Sequence, residues 1–345
     1  MVTKIGIDLG YANITLSNVI AEIFREPSVV LVDKDTRRIL SVGAKAVDGD
    51  EENSDSGVLV RPFKNGLLYS SELTKEIISS VVSKVTPAEK LRCIIGVPSD
   101  MLPKQESEIF AMLNASGIAE CYSVNRAIAA LIGAGYAPSI SAVSVNIGAS
   151  ATEIAVLHKG NIVLAEREMI GGEDFDKAVK QYILEQGEMN ISLLVARTIK
   201  ERLGAVWQER ESESIEIEGT LSLTGSKIKM SISTEDVVGV FEKPLQRLLL
   251  AIANAIKKIP IDKVNDIFEN GIVLTGGGAE LLGLDVMISK VLGVSVTKPN
   301  APIDCVAKGL SRIHTFLPVK NRSNKKNITG SIAKFYDSKK TSGKK

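Results

Sequence analysis

Two histidines and three cysteines are all that this 345-residue chain offers in soft metal ligands. Cys93, Cys121 and Cys305 lie far apart with no Cys-x-x-Cys pair, and His158 and His314 stand alone, so a zinc site is excluded. Scattered cysteines in odd number fit a reducing cytoplasm rather than a disulfide framework. Aromatics are 4% with a single Trp, too few to build a stacking platform, and no nucleic-acid partner is expected. No uninterrupted apolar run reaches the roughly 18 residues of a membrane span. Met1-Val2-Thr3-Lys4 leads straight into a strand, so no secretory leader is expected. A GxxxxGK[ST] phosphate loop, a GxGxxG after a strand and a credible Ser–His–Asp set are also missing, which removes the P-loop, Rossmann and serine-hydrolase readings.

What is present is ordinary globular material, 44% hydrophobic and 24% charged. At about 100–200 residues per domain the length implies two domains or one bilobed unit. The net charge of +1 conceals an asymmetry. Nine of the 42 basic residues and one of the 41 acidic residues fall in 319–345, giving +8 there and −7 over the remaining body. This is the pattern of a solvated arm that either aids solubility or meets an anionic partner.

Periodicity places strands at 4–9, 13–17 and 28–32, then a polar, irregular lobe over 33–65. Amphipathic or buried helices are expected at 72–85, 104–116, 126–135, after Gly171 and after Pro244, with buried strands at 92–97 and 271–275. One unit occurs twice. Ile5-Gly6-Ile7-Asp8-Leu9-Gly10, a short turn and Asn13-Ile14-Thr15-Leu16 match Val143-Ser144-Val145-Asn146-Ile147-Gly148, a short turn and Thr152-Glu153-Ile154-Ala155. Either two hairpins agree by chance or the chain holds two similar halves facing across a cleft. Such turns present backbone N–H groups that can cradle phosphate oxygens, one turn from each side. Asp8 either caps its own turn or holds Mg²⁺ through water. The Gly276-Gly277-Gly278 run permits close backbone approach to a ligand.

Several blocks then carry a resemblance: IGIDLGYAN at 5–13, EPSVV at 26–30, RPFKNG at 61–66, IGVPSD at 95–100, AALIGAG at 129–135, GGEDFD at 171–176, IKERLG at 199–204, ENGIVLTGGGAELLGLD at 269–285 and CVAKGL at 305–310. In order and spacing the chain resembles the MreB family of bacterial actins, within the actin, heat-shock chaperone and sugar kinase superfamily. The resemblance implies an α/β actin-like ATPase fold, two facing RNase H-like lobes with a nucleotide cleft, each with a small subdomain. The first lobe core would span 1–32 and 66–142 with a small subdomain at 33–65. The second would span 143–186 and 241–318 with a small subdomain at 187–240, followed by a basic disordered tail at 319–345.

ATP would meet Asp8, Gly10, Tyr11, Ala12 and Asn13 at the first loop, and Gly148, Ala149 and Ser150 at the second, beside Gly171 and Gly172. Arg197, Thr198, Ile199 and Lys200 would lie by the ribose and base, and Gly276, Gly277, Gly278, Ala279 and Glu280 would line the adenosine side. Asp8 would be the Mg²⁺ anchor. Two positions depart from the family. Its second loop reads Asp-Ile-Gly-Gly-Gly-Thr, where this chain has Asn146 through Ala151. Its connecting helix opens with a water-positioning Glu, where this chain has Arg126. Arginine stays charged and cannot serve as a base. No catalytic residue is therefore assigned, and restoring both carboxylates is expected to raise turnover.

The function implied is a cytoskeletal filament subunit that binds ATP, acts in bacterial cell-shape determination, and hydrolyses weakly or not at all. Its partner would be itself as a homopolymer or an active paralogue, with the cell-wall synthesis machinery by resemblance. The family's membrane devices have no counterpart: no N-terminal amphipathic extension is expected, and Ala88-Glu89 replaces an apolar pair. The basic tail, with Ile328, Ile332, Phe335 and Tyr336 interspersed, is expected to substitute on an anionic membrane surface, making the protein cytoplasmic and membrane-associated. The alternatives are an active ATPase cycling its filament, or a chaperone or sugar kinase. A chaperone lacks room for a substrate domain in the tail, and a kinase lacks a candidate substrate-site carboxylate.

Overall fold

A computed structural model describes residues 2–18, 23–52, 57–64, 67–84, 90–207, 211–315, 317 and 327–333. In chain order the first half holds β1 (Val2–Leu9), β2 (Asn13–Asn18), β3 (Ile23–Pro27), β4 (Val30–Asp33), β5 (Ile39–Val42), α1 (Ala44–Glu52), β6 (Gly57–Val60), β7 (Phe63–Lys64), β8 (Leu67–Leu68), α2 (Ser71–Val82), β9 (Lys90–Val97), α3 (Pro103–Ala115), β10 (Ile118–Asn125) and α4 (Arg126–Gly133). The second half holds β11 (Ala142–Ile147), β12 (Thr152–His158), β13 (Asn161–Glu168), α5 (Gly172–Gly187), β14 (Met189–Asn190), α6 (Leu193–Leu203), β15 (Ser214–Leu221), β16 (Lys227–Ser233), α7 (Glu242–Lys257), α8 (Val264–Phe268), β17 (Ile272–Thr275), α9 (Leu284–Leu292), β18 (Val296–Thr297) and α10 (Cys305–Ile313).

The duplication seen in the text is a duplication of topology. One sheet runs β3-β2-β1-β9-β10 and the other β13-β12-β11-β17-β18. In each, a hairpin pairs antiparallel and two further strands add in parallel on the far side. Ile5 and Ile7 of β1, like Val143 and Val145 of β11, are fully buried. Both sheets are covered on both faces, as parallel pairings usually are. Three-stranded sheets β5-β4-β6 and β14-β15-β16 form the small appendages.

α4 and α10 cross each other and join the halves. Residues 126–132 of α4 are all buried, and 127–132 lie in a cluster that takes Ile94 and Val124 from the first half and Ala142, Ala155 and Val273 from the second. Their backbones almost touch. A Cβ on Gly133 would stand 1.7 Å from the Cys305 carbonyl oxygen, and one on Gly309 would stand 1.7 Å from that of Ala129. Only glycine fits at either point of the crossing.

Three expectations need correction. α10, assigned to the second lobe, packs on β1, β2 and β9 of the first. Gly6 leaves room there for Leu310, whose Cβ would lie 2.5 Å from any Cβ at that position. The lobe at 33–65 is not irregular: β4–β6 and α1 close over Val29, Leu31 and Ala46. The tail expected to be disordered lies largely outside the described residues, yet 327–333 is docked. Ile328 and Ile332 are each 1% exposed, and the Ile328 N–H donates to the Ser123 carbonyl at 2.9 Å. Two isoleucines four apart supply an apolar stripe that a solvated arm would not use.

Candidate nucleotide cleft

A cleft of about 460 Å³ opens between the halves, within the usual range for small-molecule sites. Both hairpin turns line it. The first, Gly10 to Asn13, is buttressed by residues of the EPSVV and RPFKNG blocks. Ser28 Oγ donates to the Gly10 carbonyl at 2.7 Å and its N–H donates to that of Ala12 at 2.8 Å. Arg61 Nη1 donates to the Tyr11 carbonyl at 3.0 Å, with its guanidinium 4.9 Å from the Tyr11 ring centroid. The second turn is tied to the start of α5: the Gly172 and Glu173 N–H groups donate to the Gly148 and Ala149 carbonyls at 3.0 and 2.8 Å. A Cβ on Gly171 would lie 2.6 Å from the Ala149 oxygen, so glycine is required for this approach.

The third side is the Gly276 turn, at φ +85°. A Cβ there would meet the Ile147 carbonyl oxygen at 2.3 Å and Asn146 Oδ1 at 2.9 Å. Thr275 Oγ1 donates to the same Asn146 oxygen at 3.2 Å. Asn146 thus ties the second strand pair to the glycine turn, which a neutral amide does without a counter-ion.

Of the residues expected at the site, Asp8, Gly10, Tyr11, Ala12, Asn13, Arg126, Asn146, Gly148, Ala149, Ser150, Gly172, Arg197, Lys200, Gly276, Gly277, Gly278 and Glu280 line the cleft. Gly171, Thr198, Ile199 and Ala279 do not. Gly171 caps α5 behind it, Thr198 is exposed with its hydroxyl on the Leu194 carbonyl, and Ile199 and Ala279 are buried in the second core. Lys200 pairs at 2.6 Å with Asp176, which is 1% exposed, and also reaches the Gly172 carbonyl at 3.1 Å.

Arg126 makes an ion-pair network inside the cleft. Its Nε donates to Asp8 Oδ1 at 2.8 Å, Nη1 to Glu153 Oε1 at 2.5 Å, and Nη2 to the Leu9 carbonyl at 3.3 Å. Asp8 belongs to the first half and Glu153 to the second, so one guanidinium spans both. Burial works against its charge, but Asp8 and Glu153 outweigh burial and raise its pKa further. Burial pushes the Glu153 carboxyl above its ordinary value, with Arg126 opposing. Glu153 Oε2 is buried without a hydrogen-bond partner, and so is Nη1 of Arg167, another lining residue, whose Nη2 pairs with Asp100 at 2.7 Å.

Glu153 and Arg167 were not foreseen. A signal for Glu153 existed: it faces Asn146 in β12 as Thr15 faces Asp8 in β2. The expected metal anchor, Asp8, is engaged by Arg126. Asp8 Oδ1 already accepts from a guanidinium, so a cation there would confront a fixed positive charge. A Mg²⁺ ion there would have to share Asp8 with Arg126.

Two duplicated sheets, hinged by crossed helices and closed over a loop-lined cleft, define an actin-like fold. The chain belongs to the MreB/Mbl family, whose model matches residues 2–321. It is 30% identical over 313 residues to the cell shape-determining protein Mbl of Bacillus cereus, covering 88% of this chain and 93% of that one. It is 30% identical over 319 residues to the cell shape-determining protein MreB of Haemophilus influenzae, covering 88% and 91%. Among solved structures, MreB5 of Spiroplasma citri bound to ADP superposes with a TM-score of 0.85 at 20% identity, over 91% of this chain and 96% of that one. The MamK double helical filament superposes at 0.79 and 21% identity, over 92% and 100%.

Proposed function

We propose that this chain is an ATP-binding subunit of an actin-like filament that serves bacterial cell shape, and that it hydrolyses ATP slowly or not at all. The cleft carries the binding half of the reading: two backbone turns and a glycine turn converge on one space, as a polyphosphate requires. Relatives described as cell shape-determining, and fold neighbours solved with ADP or as a filament, support the rest. Head-to-tail contacts that do not close give an open filament, either of this chain alone or mixed with an active paralogue.

The Arg126 network carries the catalytic half. Hydrolysis needs a group that orients water, and both Asp8 and Glu153 are held by the guanidinium. Removing such help costs about 10²–10⁴ in rate. An ATPase that cycles its filament is the second reading, favoured by one observation: Glu153 Oε2 has no partner and its carboxyl is raised by burial. Sedimentation with and without ATP, with phosphate release followed in parallel, separates the two. Pelleting with ATP and release far below that of an MreB relative run alongside is the expected result. Equal release would establish the second reading, and a monomer under every condition would remove the filament.

No helix among the described residues is long and apolar enough to cross a membrane. The family's work at the cell wall, a cytoplasmic location and contact of the basic tail with an anionic leaflet complete the proposal. All three cysteines are buried and outside any disulfide, which supports the compartment.

A further inference from the structure

β10 is the edge strand of the first sheet, so one side of its backbone has no strand of that sheet to pair with. Residues 327–333 take that place, as a peptide added to a sheet edge does. Asn327 bridges Ser123 in parallel, the Ile328 N–H donates to the Ser123 carbonyl at 2.9 Å, and the Asn125 N–H donates to Thr329 Oγ1 at 2.9 Å. The segment then turns through a short 3₁₀ stretch, Thr329–Ser331, and reaches the second half. There Ala333 lies over Gly160, in the turn between β12 and β13, so close that a Cβ on Gly160 would stand 2.7 Å from that of Ala333. Ile328 and Ile332, both almost fully buried, enter the cluster that α4, α10 and both sheets share. The attachment to the first half lies next to the cleft. Asn125 caps α4 through its side chain, and the following residue, Arg126, bonds Asp8 and Glu153. The segment lies beyond residues 2–321, the extent of the family match.

We propose that residues 327–333 are a strap across the joint between the halves, which restrains their relative movement and so the opening of the cleft. One end is bonded to the edge of the first sheet and the other packs on a hairpin of the second. The halves therefore cannot turn about the α4–α10 crossing without the strap losing an attachment. Close-packed contacts do not stretch, so such a joint has a docked and a released state rather than a continuum. Thr329 sets where the strap sits, and the two isoleucines hold it there. The inference draws on the nucleotide-binding reading only for the second measurement below.

The test uses the full chain with one spin label on each half, at Lys75→Cys in α2 and Gln186→Cys in α5, both exposed, while the native cysteines are buried. Ile328→Asp with Ile332→Asp is expected to release the strap and broaden the label-to-label distance distribution in pulsed electron resonance. Thr329→Val keeps both isoleucines and removes the acceptor for the Asn125 N–H, and is expected to broaden it less. Thr329→Ser, which restores the acceptor, should match the parent. A distribution unchanged in the double variant overturns the inference, and where that variant does not fold, an unchanged distribution in Thr329→Val does so. The second measurement is release of a fluorescent ATP analogue, which the double variant should speed about fivefold or more, the ratio that a loss of about 1 kcal/mol of restraint gives. Binding with an unchanged release rate overturns the inference while the nucleotide reading stands. No binding by either protein removes that reading, and the distance measurement then decides the strap alone.

Discussion

Replacing Gly309 with alanine tests whether the crossing of α4 and α10 holds the two halves together. By local propensity the change is favourable: alanine exceeds glycine by about 1 kcal/mol in a helix interior, and the unfolded chain also loses freedom. The structure predicts the opposite sign. The new Cβ would stand 1.7 Å from the Ala129 carbonyl oxygen, on a backbone that is itself inside a buried helix. Carbon–oxygen contacts settle near 3.3 Å, so the helices must part by about 1.5 Å. A radial gap of even 0.5–1 Å forfeits roughly a quarter to a half of each dispersion contact. Those contacts include Ile128, Val306 and Leu310 in the cluster shared by both lobes. Overpacking of this kind costs about 1–3 kcal/mol or more, and with the propensity gain set against it a net loss of about 2 kcal/mol remains. At roughly 2–4 °C per kcal/mol, thermal melting followed by circular dichroism should fall by about 5 °C. Gly330→Ala, with nothing within 4 Å of the added atom, is the control and should melt with the wild type. Gly133→Ala acts at the same crossing against Cys305, so the double variant should lose less than the sum of the singles. A Gly309→Ala protein melting at or above the wild type would refute the reasoning.

Two further outcomes follow from buried charge. His314 is 1% exposed, its Nε2 donates to the Ile5 carbonyl at 2.8 Å, and burial lowers its pKa to about 4 from an ordinary 6.5. The fold therefore holds it neutral. Its contribution is complete above pH 6.5 and is lost as pH falls toward 4, at up to about 1.4 kcal/mol per pH unit. His314→Gln should flatten that part of the stability curve in urea titrations between pH 7 and 5, and parallel curves for the two proteins would show the assignment wrong. The reversal Arg126→Glu with Asn146→Asp looks from the sequence like a repair of catalysis. In the structure it gathers carboxylates at 126 and 146 beside Asp8 and Glu153, after removing their shared cation. Breaking a buried pair costs about 3–5 kcal/mol, so loss of soluble protein and a lower melting temperature are expected, with no gain in phosphate release.

The architecture was legible because it is written twice. A strand, a glycine turn and a second strand recur with the same alternation, and both copies became the hairpins that line the cleft. The placement of α10 was not legible. Periodicity shows that Val306, Leu310 and Ile313 share a face, but not which sheet receives that face. What decides it is the pair of gaps at Gly6 and Gly309, and a glycine in text does not say which neighbour needs the space. The docked segment at 327–333 was hidden for a related reason. Two isoleucines among lysines and asparagines read as solvated, whereas a bridge at Asn327, the bond from the Asn125 N–H to Thr329 Oγ1 and the burial of both isoleucines dock so short a piece. The buttressing of the first loop was half visible: the EPSVV and RPFKNG blocks stood out, but that Ser28 and Arg61 both hold backbone carbonyls of one turn required coordinates.

The cleft chemistry shows most clearly how a loss in the sequence differs from a loss in space. Asn146 reads as a missing charge, since its counterpart in the first half is Asp8. Across the hairpin register, however, Asp8 faces Thr15 while Asn146 faces Glu153. Each hairpin thus keeps one carboxylate at the cleft, on the first strand in one and on the second strand in the other. That shift moves the second acid to where Arg126 can reach it, at the start of the helix that joins the lobes. An amide at 146 then becomes useful in its own right, because it accepts from Thr275 and lies against the Gly276 turn, where a carboxylate would bring unpaired charge. Arg126, Asn146 and Glu153 are therefore one arrangement rather than separate defects. It places one guanidinium between a carboxylate of each lobe, and the same bonds hold Asp8 Oδ1 and Glu153 Oε1 away from a water molecule.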